Sequence, residues 1–204
     1  MKYASDVAFT ERVKEIQRAK GSRGAYARME AGDGWETAVT DELIDFIATQ
    51  RSFFLATANA AGQPYIQHRG GPPGFLRALD PHTLGFADYR GNRQYISLGN
   101  LVDNPKVHLF LIDYEHQRRV KVWGEAQVIE DDPALVARLT PEGYDARPER
   151  AIVIRVSAWD VNCPQHIPVR LEADDVARAI ASRDARIAEL EALLAERTST
   201  RREG

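Results

Sequence analysis

The stretch that decides the fold runs from Thr83 to Asp113 and reads TLGFADYRGNRQYISLGNLVDNPKVHLFLID. An extended run ends at Asp88, a polar turn follows, and the apolar spacing then becomes helical from Tyr95 to Val102. An Asp-Asn-Pro sequence ends this helical segment, and a second extended run begins at Val107. The stretch therefore predicts a strand, a tight turn, a short helix and another strand.

The turn before the helix is rich in hydrogen-bond donors. It contains Gly91-Asn92-Arg93-Gln94, which places a guanidinium and two amides at the helix entrance. The first backbone N–H groups of a helix have no partner within the helix, so together with these side chains they can bind a phosphate. The alternative is an ordinary strand-to-helix turn whose arginine is solvated, because polar residues are common at helix starts.

The composition excludes several classes of protein. The chain has 204 residues, of which 44% are hydrophobic, and a formal net charge of −3 with acidic and basic residues interspersed. This argues against a surface that binds nucleic acid or an anionic membrane. The single cysteine, Cys163, cannot form an intrachain disulfide or a cysteine-based zinc site. Without a long apolar run, a soluble cytoplasmic protein without a metal site is expected.

The rest of the chain reads mainly as strands joined by short turns. Two of them, Phe53–Ala58 and Pro64–Arg69, are separated by a Gly-containing turn and predict an antiparallel hairpin. Six or more strands with few helices between them favour a closed or partly closed antiparallel barrel over a parallel sheet. The other predicted strands are Phe75–Leu79, Leu84–Ala87, Lys106–Ile112, Arg119–Ile129 and Ala151–Val156, and the predicted helices between them include Asp41–Gln50 and Ala134–Leu139.

Two segments outside the predicted barrel leave alternatives open. Residues 160–168 contain two prolines and cannot form a central strand, so they are either a linker or a loop that supplies site residues. Residues 173–196 lack glycine and proline and predict a long helix. Its apolar residues recur at intervals of four and three, interrupted by Arg183, so the helix packs either on its own barrel or, as we favour, on a partner's copy. These apolar residues are Val176, Ile180, Ile187, Leu190 and Leu194.

The predicted organisation has three parts. Residues 1–39 form an N-terminal helical arm, residues 40–170 the barrel domain, and residues 171–204 the C-terminal helix and a disordered tail from Thr198 to Gly204. Within the arm, Phe9, Val13 and Ile16 lie on one helical face and Gly21 is a plausible stop. A partly disordered leader is the alternative for this arm.

The meander and the strand-turn-helix together resemble the pyridoxamine 5'-phosphate oxidase-like flavoproteins, over roughly residues 40–160. The resemblance implies a mainly β fold, namely an antiparallel FMN-binding split β-barrel with flanking helices. The long C-terminal helix predicted here stands where the family usually has a C-terminal strand. It also implies a homodimer with FMN in a cleft between the subunits. The residues that carry it are Gly62-Gln63-Pro64-Tyr65, Gly91-Asn92-Arg93-Gln94, Asn104-Pro105 and Val120-Lys121-Val122-Trp123-Gly124.

The resemblance also implies the cofactor-binding residues. Arg93 would bind the phosphate, and Asn92 stands where the family has a serine. Gln94 replaces a lysine, which weakens phosphate binding unless Arg69 or Lys121 compensates. The end of the second predicted strand matches the strand that lines the flavin in the family; its residues are Gln67, His68, Arg69 and Gly70. Asp88 ends the strand before the phosphate turn. Trp159, Gln165 and His166 lie in the region where the family's oxidases place a tryptophan and basic residues.

Several functions remain compatible with these residues. The Arg-x-His element that holds the pyridoxamine substrate in the true oxidases is absent, so vitamin B6 is a doubtful substrate. The leading hypothesis is an FMN-dependent oxidoreductase that acts on an unknown small substrate, with a nicotinamide nucleotide or oxygen as redox partner and no identified catalytic residue. The alternatives are a non-catalytic flavin carrier or sensor, and a split barrel that binds haem or a deazaflavin. Hydrolytic catalysis has no support, because no second carboxylate or Ser-His pairing is evident.

Overall fold

The computed structural model describes residues 2–200, with side chains described through residue 195, and it contains two compact units. The larger unit consists of Met1–Asp113 and Arg118–Gln165, and the smaller of Tyr114–Gln117 and His166–Gly204. The predicted boundaries at residues 40 and 170 stay a prediction.

Within the described residues, seven strands form one antiparallel sheet in the order β2-β1-β5-β6-β7-β4-β3. The predicted hairpin is confirmed: β1 pairs with β2 over its whole length, from Ser52 opposite Gly70 to Ala58 opposite Pro64. Together with the flanking helices, this sheet forms the split β-barrel that the sequence predicts. The strands are β1 (Ser52–Ala58), β2 (Pro64–Gly70), β3 (Arg77–Asp80), β4 (Thr83–Tyr89), β5 (Lys106–Asp113), β6 (Arg118–Ile129) and β7 (Pro148–Asn162).

The core of the larger unit follows from strand alternation. Phe53 and Leu55 of β1 are buried while Phe54 between them is exposed, as expected for a strand with one face on the core. The helix α3 (Asp41–Thr49) covers this core with three buried apolar residues, and its first turn is capped by Thr40, whose Oγ1 accepts a hydrogen bond from the Leu43 N–H.

A bulge bends the long strands β6 and β7. Their register shifts between Trp123 and Gly124, where a Cβ on Gly124 would collide with the carbonyl oxygen of Arg155. Only glycine fits this close approach of two backbones, so the strand can bend here without losing its pairing.

The N-terminal arm is more helical than predicted. A short 3-10 helix, Ala4–Val7, precedes α1 (Glu11–Ala19) and α2 (Arg23–Ala31), and α2 forms across the glycine-containing segment for which the sequence predicts no helix. After α2 and still within the arm, the ring of Trp35 stacks on the ring of Trp123 in β6, with centroids 4.6 Å apart.

One predicted boundary is wrong. The last strand, predicted to end at Val156, continues to Asn162, and Asp160–Asn162 pair with β6 alone because the pairing with β4 ends at Arg155. The first three residues of the segment 160–168, predicted as a linker or a loop, therefore extend β7 beyond its central part. The reason is that both prolines, Pro164 and Pro168, come after the last paired residue, so Asp160–Asn162 keep the N–H groups that pairing needs.

The remaining helices are close to the expected positions. They are α4 (Ile96–Asp103), α5 (Pro133–Leu139) and α6 (Ala173–Thr200). Thr198–Thr200 continue α6 instead of being disordered, and the rest of that predicted tail, residues 201–204, lies outside the described residues.

The smaller unit has a few internal contacts besides α6. Gln117 Nε2 donates a hydrogen bond of 2.6 Å to the Ile167 carbonyl oxygen, and the Arg170 guanidinium lies 4.5 Å from the centroid of the Tyr114 ring. Among the helices of residues 2–200, none has the length and apolar character needed to cross a membrane.

Candidate functional site

A polar cavity of about 290 Å³ lies where β2, the end of β4, the turn after it, the start of α4 and the start of β7 meet. Alternation along β2 directs Tyr65, Gln67 and Arg69 to the same face of the strand. The volume is at the lower end of the range of about 300–1,000 Å³ that small-molecule sites occupy. Besides these three residues, the lining consists of Asp88, Tyr89, Gly91, Asn92, Arg93, Gln94, Tyr95, Ile96, Ser97, Leu98, Glu149 and Arg150.

The turn between β4 and α4 has an unusual backbone. Arg93 and Tyr95 both have positive φ angles, 61° and 55°, although neither is glycine. Within the turn, the Gln94 N–H donates a 3.3 Å hydrogen bond to Asn92 Oδ1, and Arg93 Nε donates a 3.0 Å bond to the Tyr95 hydroxyl. Non-glycine residues in this region of φ/ψ space cluster at ligand-binding sites, so the turn is a candidate binding element.

The hydrogen bond from Arg93 to Tyr95 also affects the charge on Arg93. It raises the pKa of the Arg93 guanidinium above its usual value, so this side chain is a permanent cation beside the cavity.

The N-terminus of α4 opens on the cavity without a side-chain cap. Its N-cap residue, Tyr95, forms no capping hydrogen bond, and Ile96, Ser97 and Leu98 of the first turn all line the cavity. The unpaired N–H groups and the positive end of the helix dipole therefore face a space that an anion can enter.

Two hydrogen bonds hold α4 in this position. Ser97 Oγ donates a 2.7 Å bond to Gln67 Oε1 on β2, and Asn100 Nδ2 donates a 2.9 Å bond to Thr57 Oγ1 on β1. Ser97, Asn100 and Thr57 are all buried, so these bonds form away from competing water and fix the helix start relative to the hairpin.

Asp88 joins two arginines at the floor of the cavity. Its Oδ1 pairs with Arg69, its Oδ2 lies 3.2 Å from Arg150 Nη1, and the residue is only 4% exposed. Burial alone would lower the pKa of Arg150, but the carboxylates of Asp88, Glu130 and Glu149 raise it above its usual value. Arg69 Nε and Arg150 Nε are both buried without a hydrogen-bond partner among the described residues, although Arg150 Nε lies 2.9 Å from Glu130 Oε1.

The structure brings six of the predicted site residues together and places the others elsewhere. Gln67, Arg69, Asp88, Asn92, Arg93 and Gln94 all line the cavity. His68 and Gly70 line a separate, shallow cavity of about 560 Å³ together with Arg51, Gly71, Pro72 and Tyr144, because alternation turns His68 to the other face of β2.

The three C-terminal site predictions fall outside the cavity lining. Trp159 is buried in the core, where its Nε1 donates a 2.7 Å hydrogen bond to the Ala38 carbonyl oxygen. Gln165 is exposed at the end of the larger unit, and His166, also exposed, begins the second segment of the smaller unit. A role for these three residues in cofactor binding stays a prediction.

The sequence prediction missed Tyr65, Tyr95, Ser97, Glu149 and Arg150. Tyr65 could have been found, because it is two residues before Gln67 on the same strand face. Arg150 could not, because it reaches Asp88 only through the pairing of β7 with β4. Of the two residues suggested as substitutes for the missing lysine, Arg69 lines the cavity and Lys121 is not among the lining residues.

Comparison with known proteins identifies the family. The sequence model described as pyridoxamine 5'-phosphate oxidase matches residues 39–163, more than half of the chain. The protein therefore belongs to the pyridoxamine 5'-phosphate oxidase family. No curated protein matches the sequence.

Several solved structures are similar to this chain at low sequence identity. A variant of HupZ from Group A Streptococcus is 19% identical with a TM-score of 0.50, and the alignment covers 61% of this chain and 99% of HupZ. A putative pyridoxamine 5'-phosphate oxidase from Lactobacillus delbrueckii has 22% identity, a TM-score of 0.46 and coverages of 61% and 95%. An FMN-binding protein from Syntrophomonas wolfei has 11% identity, a TM-score of 0.48 and coverages of 72% and 97%. At these identities the similarity to HupZ is one of fold alone.

Proposed function

We propose that this protein binds FMN, with the phosphate of the cofactor at the start of α4, and that it is an oxidoreductase acting on a small substrate. The observation that carries the proposal is the uncapped N-terminus of α4 facing a cavity beside Arg93. Membership of the pyridoxamine 5'-phosphate oxidase family supports the choice of ligand.

The residues that line the cavity suit a phosphate because they offer hydrogen-bond donors and a net positive charge. Three guanidinium groups and two carboxylates are present, which leaves a net charge of +1 before the helix dipole is considered. Donors come from the backbone of the first turn of α4, from Arg93, and from the amides of Asn92 and Gln94. The unsatisfied Nε of Arg69 adds a donor that an anion or a bridging water can use.

The three arginines that line the cavity have different roles because they have different hydrogen-bond and ion-pair partners. Arg69 and Arg150 are both paired with Asp88, so their charges are largely neutralised within the protein. Arg93 is held by the neutral Tyr95 hydroxyl instead and keeps its full charge for a ligand. Arg93 is therefore the primary anion anchor, while Arg69 and Arg150 shape the floor of the cavity.

When bound, FMN supplies the hydride chemistry, and the protein supplies binding and orientation. The first turn of α4 and Arg93 fix the phosphate end of the ligand. Gln67 is held by Ser97 in a defined orientation beside the cavity, so its amide can form a directional hydrogen bond to the remainder of the ligand.

Members of this family typically form dimers, and one face of the sheet suits a second copy of the chain. His68, Phe54 and Phe110 form a row across β2, β1 and β5, and the His68 and Phe54 rings are 5.8 Å apart. Phe54 is 39% exposed and its neighbour Ile66 is 64% exposed. An apolar patch on a sheet face is typical of a protein interface, so we propose a homodimer that uses this patch.

The decisive experiment compares FMN with riboflavin, which has the same ring and ribityl chain but no phosphate. If the phosphate is anchored by α4 and Arg93, riboflavin binds at least about 100-fold more weakly, the scale of one or two charge-assisted hydrogen bonds. Equal affinities for the two flavins would contradict the anchor. Oxidation of a nicotinamide nucleotide by the flavin-loaded protein would support an oxidoreductase, and its absence with every donor tested would favour a carrier or sensor.

The absorption spectrum of the purified protein tests the identity of the cofactor itself. The two-banded spectrum of an oxidised flavin, with FMN released on heating, is the expected result. A Soret band would indicate haem and the single band of a deazaflavin would indicate that cofactor, and either result would overturn the assignment of FMN.

A further inference from the structure

The helix α6 carries an apolar stripe that is exposed to solvent. Val176, Ile180, Ile187 and Leu190 are separated by four, seven and three residues, which places them at the a and d positions of a heptad repeat. Ile180 is 54% exposed, Ile187 53% and Leu190 43%. A 28-residue helix with its apolar side in water lacks the packing that normally stabilises a helix.

We propose that α6 pairs with α6 of a second copy of the chain as a parallel, two-stranded coiled coil. The heptad assigns Ile180 and Ile187 to a positions, and Val176 and Leu190 to d positions. β-Branched residues at a with leucine at d favour two strands over three or four. This interaction surface is separate from the cofactor cavity and does not depend on the proposed function.

The charges beside the stripe decide the orientation. Arg186 occupies a g position, and Asp184 and Glu191 occupy e positions. In a parallel pair, a g residue faces the e residue five positions later on the other helix, so Arg186 meets Glu191 of the partner subunit. In an antiparallel pair, g faces g and e faces e, which brings arginine towards arginine and carboxylate towards carboxylate. The parallel arrangement is therefore the one that the sequence of α6 supports.

Arg186 is available for this contact. Within the chain it pairs with Glu189 at 2.6 Å, but the Arg186 and Glu189 side chains are 60% and 58% exposed. An exposed pair three residues apart on a helix contributes little, so Arg186 can turn to Glu191 of the partner subunit at small cost.

Arg183 is the one polar residue within the stripe between Val176 and Leu190, at a d position. Two arginines facing each other weaken the pair, although their long side chains can carry the charges out to water. A polar residue at one core position lowers the stability of a coiled coil and restricts its register. Arg183→Leu should therefore strengthen the helix pairing, and a weaker association of this variant would count against the proposed seam.

Disulfide cross-linking of the full chain tests both the pairing and its direction. In a Cys163→Ser background, a single cysteine is introduced as Val176→Cys or as Leu190→Cys. These two d positions are 14 residues apart, about 21 Å along a helix. A parallel pair brings each position next to its own copy, so both variants should form a covalent dimer under mild oxidation. An antiparallel pair can bring at most one of the two positions next to its own copy, so at most one of the two variants would form a covalent dimer.

The matched control is Ala185→Cys in the same background, because position 185 lies at the outer f position between the two test sites. It should cross-link at least about tenfold more slowly than either d-position variant if the seam is as proposed. Cross-linking at only one d position, at neither, or at Ala185 with the same rate would overturn the proposal. Failure here leaves flavin binding untouched, so it is distinguishable from failure of the proposed function.

A charge exchange provides a second, independent test. Arg186→Glu and Glu191→Arg should each slow the cross-linking of Leu190→Cys, because each places like charges at the g–e contact. The double exchange restores opposite charges between the helices and should restore the rate, although it does not restore the Arg186–Glu189 pair within the helix. A double exchange as slow as the single variants would overturn the parallel register.

Discussion

Arg69 and Asp88 form a buried ion pair between β2 and β4. Four other strands lie between these two in the order of the sheet. Arg69 lies on the edge strand β2, and Asp88 lies at the end of β4. The pair therefore joins one edge of the sheet to the strand next to the other edge, and Arg150 on β7 pairs with the second oxygen of Asp88. Residues that line the cavity at the start of α4 are thus also residues that close the barrel.

Asp88→Asn tests this structural role. The change leaves two guanidinium groups, each only about a tenth exposed, without their shared countercharge. Because a buried charge that loses its partner is costly, the free energy of unfolding should fall by about 3 kcal/mol. Urea denaturation of the flavin-free protein measures this effect. The control is Asp103→Asn, at an exposed position of α4, which should change the free energy of unfolding by less than about 0.5 kcal/mol.

Arg93→Ala tests the phosphate anchor. The change removes the one guanidinium of the cavity that is not paired with a carboxylate, so FMN affinity should fall about 10- to 100-fold. Riboflavin affinity should hardly change, and the difference between the two flavins should shrink accordingly. Arg90→Ala, three residues earlier in the same turn and 3.9 Å from Glu149, is the control and should retain FMN. Equal loss of both flavins in Arg93→Ala would show a general structural effect instead.

Tyr95→Phe separates the position of Arg93 from its charge. The hydroxyl that accepts the 3.0 Å hydrogen bond from Arg93 Nε is lost, while the ring beside Arg150 is kept. Arg93 then samples more rotamers, so FMN affinity should fall about three- to tenfold, less than in Arg93→Ala. In the double variant Arg93→Ala/Tyr95→Phe, the second change should add nothing, because the hydroxyl acts through Arg93. Additive losses would refute that role.

The sequence predicted the fold well because its signals are local. The hairpin turn before Pro64, the cap at Thr40 and the proline that ends α4 each act within a few residues, and the structure has these features where they were expected. The end of β7 was missed because it depends on pairing with Arg119–Lys121, about forty residues earlier in the chain. Local polarity alone indicated a loop there.

The predicted site residues that line the cavity come from the turn before α4, from the end of β4 and, through the resemblance, from β2. Asn92, Arg93 and Gln94 lie in one turn, so a single stretch of sequence reveals them. Arg150 and Glu149 come to the cavity through the β4–β7 register, which no short motif encodes. Trp159, which the resemblance assigns to the site region, lies in the core instead of the cavity lining, and its role in cofactor binding stays a prediction.

Gly124→Ala tests the bend in β6. A Cβ at this position would clash with the backbone of Arg155 and lie 2.9 Å from Ile154 Cγ2, and neither the backbone nor the packed core can move freely. The free energy of unfolding should fall by about 1–3 kcal/mol in chemical denaturation. Gly99→Ala in α4 is the matched control, because nothing lies within 4 Å of its Cβ, and alanine should stabilise that helix by about 0.5–1 kcal/mol. The same sign of effect at both glycines would contradict the steric argument.

His108 should make the stability of the larger unit depend on pH. Its ring lies 4.8 Å from the ring of Trp123, and burial, with a smaller contribution from Lys121, lowers the pKa of the imidazole below its usual value near 6.5. Between the folded and the unfolded pKa, the unfolded chain binds a proton that the folded chain does not, so stability is fully present above about pH 6.5 and is lost as the pH falls below it.

His108→Gln should remove this contribution. The variant loses stability at every pH because the contact with Trp123 is gone, but the decline of its unfolding free energy between pH 7.5 and roughly pH 5 should be shallower than that of the parent protein. Thermal or urea unfolding across this range measures the two slopes. Parallel curves for His108→Gln and the parent would mean that His108 binds its proton equally well in the folded and unfolded chain.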